Sequence, residues 1–374
     1  MTSMGSESCA LEPISPKCEM CLPFGEEGGG GDQGVENEQE PSDEAIKPFR
    51  RKAPSTPTRQ EFLDHQIAHL PWRNWCSVCV RGNGKSHGHR IQQEDERGLP
   101  TIHVDYWTMR DHEGAAKVTV MSLKDDSTKS HAAHAVSKKG HTGSDATDQL
   151  TRDIDEVFGH LGNEIIIKSD QEHSMVEVLK EVRKTRQSKT ILEHSPVAEH
   201  EANGTAERAV QQHEGTTRVM KLAFEERLKC DIPSVHPICT WLVHHAANSL
   251  NKFLIGKDGR TAYERSKKKT YKGELLEFGS CVYCLIPGDP QGGSMEPRWA
   301  EGVWLGKAGK DDAHIVCYQD GTITKTKDVR FCFEPWNKEC LEWVKGTTWN
   351  PNPKPEEIEQ NPKVIPHDGT PDPP

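Results

Sequence analysis

One short segment limits the possible fold more than any other feature of this sequence. Residues 165–170 are Ile-Ile-Ile-Lys-Ser-Asp, a run of β-branched residues that ends in a carboxylate. β-branched side chains favour extended backbone, and a short apolar run of this kind indicates a buried strand. Asp170 then stands at the end of a buried strand, where a charged group needs a partner. The surrounding chain is therefore expected to build a sheet around it.

The segments on either side of this strand alternate in type. Three β-like runs and a helical segment precede it, and a helix, a short strand and a long helix follow. The first helical segment has Leu150, Ile154 and Leu161 at helical spacing. The order β-β-β-α-β-α-β-α resembles that of the ribonuclease-H-like α/β fold, a mixed sheet with helices on both faces. In chain order the predicted elements cover 101–107, 117–123, 131–136, 145–161, 165–170, 175–182, 190–192 and 203–228.

This order of elements allows three carboxylates to meet. Asp105 lies within the first predicted strand, Asp170 ends the fourth, and Glu207 lies in the first turns of the long helix. In the expected fold the first strand lies beside the fourth, and the long helix crosses near their ends. Such a cluster repels itself unless cations bind, and two Mg²⁺ (or Mn²⁺) ions relieve the repulsion and activate an attacking oxygen at phosphorus. The three residues are therefore predicted to be catalytic metal ligands.

The segments around these carboxylates are specific in their order and spacing. They are His-Val-Asp-Tyr-Trp at 103–107, Lys-Ser-Asp-Gln-Glu at 168–172 and Asn-Gly-Thr-Ala-Glu-Arg at 203–208, with 36 residues between the second Asp and the Glu. Together they resemble the DD(35)E pattern of retroviral-type integrases, most closely those of Copia-like LTR retrotransposons, over about residues 61–333. The resemblance implies a DNA polynucleotidyl transferase of the nucleus, a homo-oligomer that processes 3′ ends of element DNA and joins them to target DNA.

The long helix provides candidates for DNA contact and also departs from the family. Arg208, Arg218 and Lys221 are the DNA-binding candidates on its polar side. Retroviral integrases have lysines four and seven residues after the catalytic Glu, facing the viral DNA end, whereas this sequence has Gln211 and Glu214. These two residues weaken the expected contacts with a DNA end.

A compact group of zinc-type ligands precedes the first strand. Two histidines at i and i+4 share a helix face, and a Cys-x-x-Cys pair forms a tight turn, so both pairs can reach one structural Zn²⁺ ion. The group resembles the His-His-Cys-Cys domain of integrases, although six residues separate its two halves where the family usually has more than twenty. His87 and His89 are competing ligands, and a metal-free basic loop at 81–90 that contacts DNA is the alternative. The predicted ligands are His65, His69, Cys76 and Cys79.

The region after the core alternates between short β runs and Gly/Pro turns, which predicts a small β-barrel. Its aromatic and basic residues either follow a DNA backbone or form barrel core and solvated surface. The candidates are Trp299, Trp304, Lys307, Lys310, Lys325, Lys327 and Arg330. The predicted organisation is a disordered acidic tail (1–58), a zinc-binding segment (59–95), a catalytic core (98–230), a helical connector (231–275), a barrel (276–333) and a disordered Pro-rich acidic tail (334–374).

The net charge of −11 argues at first against a nucleic-acid partner. However, residues 1–46 carry −10 and residues 334–374 carry −4, which leaves +3 for 47–333. The mildly basic middle therefore permits DNA binding. The first residues lack a basic and apolar leader, and no stretch approaches about 18 apolar residues, so an intracellular protein without a membrane span is expected. In a reduced compartment, pairs among the twelve cysteines indicate metal binding or core packing rather than disulfides.

Two other functions remain open from the sequence. One is a non-catalytic nucleic-acid-binding protein derived from such an element, which Gln211 and Glu214 favour and the retained carboxylates oppose. The other is a ribonuclease-H-like nuclease that hydrolyses DNA or RNA without joining. That class usually has a fourth carboxylate at the metal site, and Glu172 is the nearest candidate, at a position where many integrases have Gly. A structure in which Glu172 points at Asp105 would favour the nuclease.

Overall fold

The computed structural model describes residues 55–82, 98–142, 145–194, 204–285, 297–309, 311–358, 362 and 364–366. All of them belong to the second of two structural units, Ala53–Pro374. Most of the predicted N-terminal tail lies outside the described residues. So do most of the 81–90 loop, with the competing ligands His87 and His89, and Asn203 at the predicted start of the long helix.

Eight α-helices and twelve strands form from the described residues. The helices are α1 (Arg59–Ala68), α2 (Ser77–Gly82), α3 (Ala146–Arg152), α4 (His173–Thr185), α5 (Gly204–Leu228), α6 (Pro237–Phe253), α7 (Ala262–Lys267) and α8 (Cys340–Trp343). The strands are β1 (Thr101–Met109), β2 (Val118–Asp125), β3 (His131–Val136), β4 (Ile165–Ser169), β5 (Thr190–His194), β6 (Cys230–Asp231), β7 (Cys281–Leu285), β8 (Trp299–Lys307), β9 (His314–Tyr318), β10 (Ile323–Thr326), β11 (Val329–Phe331) and β12 (Ile365–Pro366). In this part of the chain no helix is both long and apolar enough to cross a membrane.

The first sheet has five strands in the order β3-β2-β1-β4-β5. Strands β1, β2 and β3 pair antiparallel, whereas β4 pairs parallel with both β1 and β5. The β-branched residues of β4 at 165–167 are fully buried, as their composition predicts. The result is a mixed sheet flanked by helices, and its strand order is consistent with the ribonuclease-H-like fold.

Successive residues of a strand point to opposite faces of the sheet. Both faces of this sheet carry apolar side chains, and helices cover both. Ile102 and Val104 of β1 pack with apolar residues of α3 and α4 on one face. Val120 of β2 and Ala133 of β3 pack with α5 and α6 on the other. The predicted helix at 145–161 is divided, since a π-helical turn, Asp153–Val157, follows α3.

The second sheet is antiparallel and has the order β10-β9-β8-β7-β11. The apolar cluster on the α5–α6 face of the first sheet continues through α6 into β7, β8 and β9. The predicted helical connector (231–275) therefore contributes to a core that both sheets share. Trp304 is fully buried, and its indole N–H donates to His314 Nδ1 at 3.0 Å. Lys307 is buried as well and donates to the carbonyl of Asp312 at 2.9 Å. Trp304 therefore belongs to the core, as one alternative predicts. Lys307 matches neither alternative, because its buried ammonium group lies neither on a solvated surface nor on one that could follow DNA.

The segment after the second sheet does not match its prediction. Residues from 334 onward were expected to be disordered because they are acidic and rich in Pro, and this expectation is wrong for the stretch around α8. Cys340, Leu341 and Val344 are buried in the shared core, and the indole N–H of Trp241 on α6 donates to the carbonyl of Gly346 at 2.9 Å. Apolar and aromatic residues between the prolines supply the burial that composition alone did not suggest. Three tryptophans of the segment also pack there: Trp336, Trp343 and Trp349.

Candidate functional site

The parallel pairing of β1 with β4 brings two of the predicted catalytic carboxylates to the same end of these strands. Thr101 pairs with Ile166 and His103 pairs with Lys168, and Asp105 and Asp170 each follow two residues after the last pair. The neighbours of Asp105 on β1, at 104 and 106, point into the α3–α4 face, so Asp105 itself belongs to the face that α5 covers. Both carboxylates are half-buried.

The third predicted carboxylate approaches from above this face. Ala206 and Ala209 are buried near the start of α5, whereas Glu207 between them is exposed. Burial raises the pKa of Asp105 to about 6, and the negative charges of Asp170, Glu172 and Glu207 raise it as well, against the hydrogen bond from the Tyr106 backbone. The carboxylates therefore lie within electrostatic reach of one another.

Backbone groups hold one oxygen of each strand carboxylate. The N–H of Tyr106 donates to Asp105 Oδ1 at 2.7 Å, and the N–H of Glu172 donates to Asp170 Oδ1 at 3.1 Å. In each case the second oxygen makes no hydrogen bond with another described residue, which leaves it available to a cation. This arrangement can hold divalent ions, because such ions prefer carboxylate oxygens.

Glu172 has a different set of partners. Lys139 Nζ donates to its two oxygens at 2.7 and 2.8 Å, and the hydroxyl of Ser174 donates at 2.6 Å. Burial favours the neutral form, but these hydrogen bonds and the charge of Lys139 outweigh it and hold the pKa of Glu172 below its ordinary value. The carboxylate of Glu172 is thus ionised, and the ammonium group of Lys139 balances its charge. The sequence did not indicate this contact.

A buried polar chain beneath the carboxylates was also missed. Ser122 faces Asp105 across β1 and β2. Its hydroxyl accepts from the indole N–H of Trp107 at 2.9 Å and lies 2.9 Å from Nδ1 of His213 on α5. The one signal in the sequence is that His213 lies two helical turns from both Ala206 and Met220, on the buried side of the long helix, where a polar side chain needs a partner.

The predicted zinc ligands do come together. Their ligand atoms all lie within 4.8 Å of one another, and they form the one such His/Cys/Asp/Glu group among the described residues, so the carboxylates of the first sheet are less tightly grouped. His65 Nε2 lies 3.2 Å from Cys79 Sγ, and His69 Nδ1 lies 3.6 Å from Cys76 Sγ and 3.8 Å from Cys79 Sγ. A tetrahedral ion with zinc–nitrogen and zinc–sulfur bonds of ordinary length separates nitrogen from sulfur by about 3.5 Å. The four donors therefore fit zinc.

Protonation states in this cluster also suit a metal. Burial, together with nearby positive charge, lowers the pKa of His65 and of His69 to about 4, so both imidazoles are neutral at pH 7. Burial raises the pKa of the Cys79 thiol to about 12, with Cys76 adding to the effect. A thiolate at this position therefore needs a cation, and zinc binding would supply it.

The His/Cys cluster is held against the long helix that carries Glu207. Cys76 and Cys79 pack with Val219 of α5. A Cβ on Gly82 would lie 2.4 Å from Val219, so α2 and α5 approach closely only because residue 82 is Gly. Arg81 adds an ion pair to Glu226 at 3.1 Å.

The three DNA-binding candidates on α5 differ in their surroundings. Arg218 donates to Glu214 at 2.6 Å and to the carbonyl of Gly82 at 3.1 Å, and Lys221 donates to Glu225 at 2.6 Å. Arg208 is exposed and lines a cleft beside the turn between β2 and β3. Of the three, Arg208 is the one whose charged group makes no hydrogen bond or ion pair with described residues.

The chain matches no protein-family model and no curated protein. Among solved structures, it is similar to a chain of the simian T-cell lymphotropic virus intasome in complex with PP2A regulatory subunit B56 gamma, with 13% identity and a TM-score of 0.29 over 62% of this chain and 81% of that one. It is also similar to the HTLV-2 integrase catalytic core domain in complex with magnesium. The trimeric form gives 12% identity and a TM-score of 0.32 over 45% and 98% of the two chains, and the dimeric form 11% and 0.30 over 44% and 94%. Likenesses this remote do not assign the chain to a family.

Proposed function

We propose that this chain is an integrase-like DNA strand transferase that processes 3′ ends of element DNA and joins them to target DNA. The observation that carries the proposal is that Asp105 on β1, Asp170 just after the parallel strand β4, and Glu207 on α5 lie within electrostatic reach of one another. The order and spacing of the segments around these residues support it. Because these segments resemble those of Copia-like LTR retrotransposon integrases, this is the family that we propose.

Asp105, Asp170 and Glu207 would hold two Mg²⁺ or Mn²⁺ ions. The donor set suits these cations. Burial, and after it the negative charge of the neighbouring carboxylates, raises the pKa of Asp105, and a bound cation would favour its ionised form. Bound there, the ions would activate an attacking oxygen and stabilise the leaving oxygen at phosphorus. The protein itself orients the carboxylates. The backbone N–H groups of Tyr106 and Glu172 each donate to one oxygen, of Asp105 and Asp170 respectively.

The rest of the chain has supporting roles in this proposal. One structural Zn²⁺ ion held by the His/Cys cluster would fix α1 and α2 against α5. Arg208, Arg218 and Lys221 would contact DNA, the last two by exchanging a glutamate partner for phosphate. We further propose that the C-terminal sheet closes as a small β-barrel, that the protein acts as a homo-oligomer, and that it works in the nucleus, where target DNA lies.

The contacts of Glu172 bear on the nuclease alternative. A fourth metal ligand has to offer a carboxylate to the ions, whereas both oxygens of Glu172 accept hydrogen bonds from Lys139. This favours strand transfer by three carboxylates over hydrolysis by four.

A strand-transfer assay in Mg²⁺ tests the proposal through Glu207→Gln. The substitution keeps the shape of the side chain but removes a charged ligand. We expect joining to fall by more than about 100-fold, since even changes to the partners of metal ligands cost about 10- to 100-fold.

Glu164→Gln is the matched control. It removes one exposed carboxylate just before β4, at the opposite end of this strand from Asp170. The control should join DNA nearly as well as wild type. Joining by Glu207→Gln at the wild-type rate would overturn the assignment of the carboxylates.

A further inference from the structure

A cationic cleft lies beside α5, on a different side of the helix from Glu207. It has a volume of about 690 Å³ and is bounded by the turn between β2 and β3, by α5, and by the chain from the end of α6 into α7. We call it the basic cleft. Its charged lining residues are Lys124, Lys129, Arg208, Lys257 and Arg265, with Asp126 and Asp258.

Helix geometry separates the basic cleft from the carboxylates. Thr205, Arg208 and Gln212 line the cleft. At about 100° per residue, their mean direction lies roughly 130° around α5 from Glu207. The sheet order agrees, because Lys124 is on β2, and β1 lies between β2 and β4. The helix therefore stands between the two sites, and ligand bound in the cleft does not compete for the carboxylates.

The cleft has more positive charge than its own acids neutralise. Asp258 is paired with Arg265, and Asp126 lies 2.7 Å from His103 Nε2 and 3.6 Å from Lys129 Nζ. The charged groups of three residues make no hydrogen bond or ion pair with any described residue. They are Lys124, Arg208 and Lys257.

The excess of positive charge in the cleft affects the pKa of Lys124. Burial lowers its pKa, and the charges of Lys129 and Arg208 lower it further, although Asp126 opposes them. A half-buried ammonium group among other cations favours an incoming anion with several oxygens, such as phosphate. Part of the lining is apolar and consists of Leu250, Leu254 and the 58% exposed Ile255. An apolar wall beside cations suits a sugar–phosphate chain better than a bare anion.

We propose that the basic cleft binds the phosphate backbone of DNA at a site separate from the metal-binding carboxylates. The proposal deepens the proposed function and rests on it for the identity of the nucleic acid. Lys124 and Arg208 contact phosphate from the sheet and from α5, and Lys257 closes the site from the segment after α6. Ile255 packs against deoxyribose. A strand that passes the start of α5 is thereby held on both sides of the helix.

Binding of a short DNA duplex in buffer without added Mg²⁺ or Mn²⁺ and without chelator, which leaves the His/Cys cluster loaded, tests the proposal by fluorescence anisotropy over a series of salt concentrations. Without added Mg²⁺ or Mn²⁺ the carboxylates do not recruit DNA through metal, and the difference between wild type and variants of the cleft residues measures the contribution of the cleft. In the double variant Arg208→Gln/Lys257→Gln we expect the slope of log affinity against log salt to fall by about 2, since each phosphate contact contributes about 0.9. The affinity should fall by about 10-fold or more at low salt.

The control is Lys180→Gln/Arg183→Gln, which removes two exposed cations from α4 on the far face of the sheet. It should keep the wild-type slope. Lys124→Gln, with its fold checked by thermal unfolding, should lose affinity as the double variant does. An unchanged slope in the double variant would overturn the proposal.

Tripolyphosphate serves as the second probe. If the double variant loses tripolyphosphate binding but keeps its DNA affinity, the cleft holds a small polyanion, and the DNA assignment is overturned. If wild type shows the cleft-dependent salt slope yet joins no DNA in Mg²⁺, strand transfer fails and the cleft assignment stands. The two proposals therefore fail separately.

Discussion

His213 Nδ1 on α5 lies 2.9 Å from the hydroxyl of Ser122, the residue that faces Asp105 across β1 and β2. Its other ring nitrogen, Nε2, lies 3.0 Å from His131 Nδ1 on β3. One fully buried side chain therefore ties the helix of Glu207 to two strands of the sheet. Burial lowers the pKa of His213 to about 3, so the imidazole is neutral and can both donate and accept.

Replacement of His213 by Leu is expected to destabilise the fold. Leu fills much of the space but leaves the polar atoms of Ser122 and His131 short of a partner, and a buried polar group without its partner costs about 1–3 kcal/mol. We expect the free energy of unfolding in urea to fall by about 2 kcal/mol or more. His173→Leu, on the exposed side of α4, should stay within about 0.5 kcal/mol of wild type. An unchanged urea midpoint for His213→Leu would refute a structural role for this chain of contacts.

Zinc content tests the His/Cys cluster. Protein purified without chelator should contain about one zinc ion per chain by elemental analysis, and Cys76→Ser should lose it, because a tetrahedral structural site needs all four ligands. Chelation should also weaken the packing of α1 and α2 on α5 and expose this region to proteolysis. Cys332→Ser, which changes a free cysteine just after β11, should keep its zinc. Full zinc content in Cys76→Ser would mean that other residues bind the ion.

A buried histidine is expected to make stability depend on pH. His245 packs between the rings of Phe278 and Trp304, with centroids 5.5 and 5.2 Å away. Burial, and to a lesser extent the charge of Lys252, lowers its pKa to about 3. The unfolded chain protonates the same side chain near the ordinary value of about 6.5. The stability that this neutral histidine contributes is therefore fully present above pH 6.5 and is lost as the pH falls from there towards 3.

The slope of stability against pH measures this effect. Within the window, one such group changes the free energy of unfolding by about 1.4 kcal/mol per pH unit. His245→Gln should be less stable than wild type at pH 7, and its stability should fall less steeply between about pH 6.5 and 5.5. The exposed change His173→Gln should leave the slope as it is. Equal slopes for His245→Gln and wild type would show that His245 is protonated in the folded protein too.

Local pattern was enough to predict the first sheet. The Ile run at 165–167 identified an interior strand, β4, and the alternation of strand-like and helical segments on either side predicted the order of the elements around it. The i,i+4 pairs Glu214–Arg218 and Lys221–Glu225 were also open to prediction, since opposite charges four residues apart on a helix face attract.

Long-range partners could not be predicted in the same way. Nothing near Glu172 in the sequence identifies Lys139, which is 33 residues away, as its partner. The segment around α8 was expected to be disordered because its composition is acidic and rich in Pro. Its packing depends on Trp241 and on a core built by residues more than a hundred positions earlier. The composition of a segment indicates how much of its surface it could bury without help from the rest of the chain. This segment is buried because α6 and the second sheet pack against it.

Arg186 joins three parts of the core through one buried guanidinium. Its Nε donates to Asp155 Oδ1 at 3.1 Å, Nη1 donates to the hydroxyl of Thr190 at 2.8 Å, and Nη2 donates to the carbonyl of His160 at 2.8 Å. The π-helical turn, the loop after it and β5 thereby meet at the end of α4. Arg186→Met keeps a long apolar side chain but leaves Asp155 without its cation, and removal of one partner of a buried pair costs about 3–5 kcal/mol.

Urea unfolding of three variants separates lost charge from lost geometry at this position. Arg186→Lys restores the charge but not the planar fork, so its stability should lie between those of wild type and Arg186→Met. Arg183→Met, an exposed change three residues earlier, should be near neutral. Adding Asp155→Leu to Arg186→Met should recover part of the loss, because the double variant no longer leaves a charge unpaired. If the double variant is less stable than Arg186→Met alone, Asp155 stabilises the fold through contacts other than Arg186.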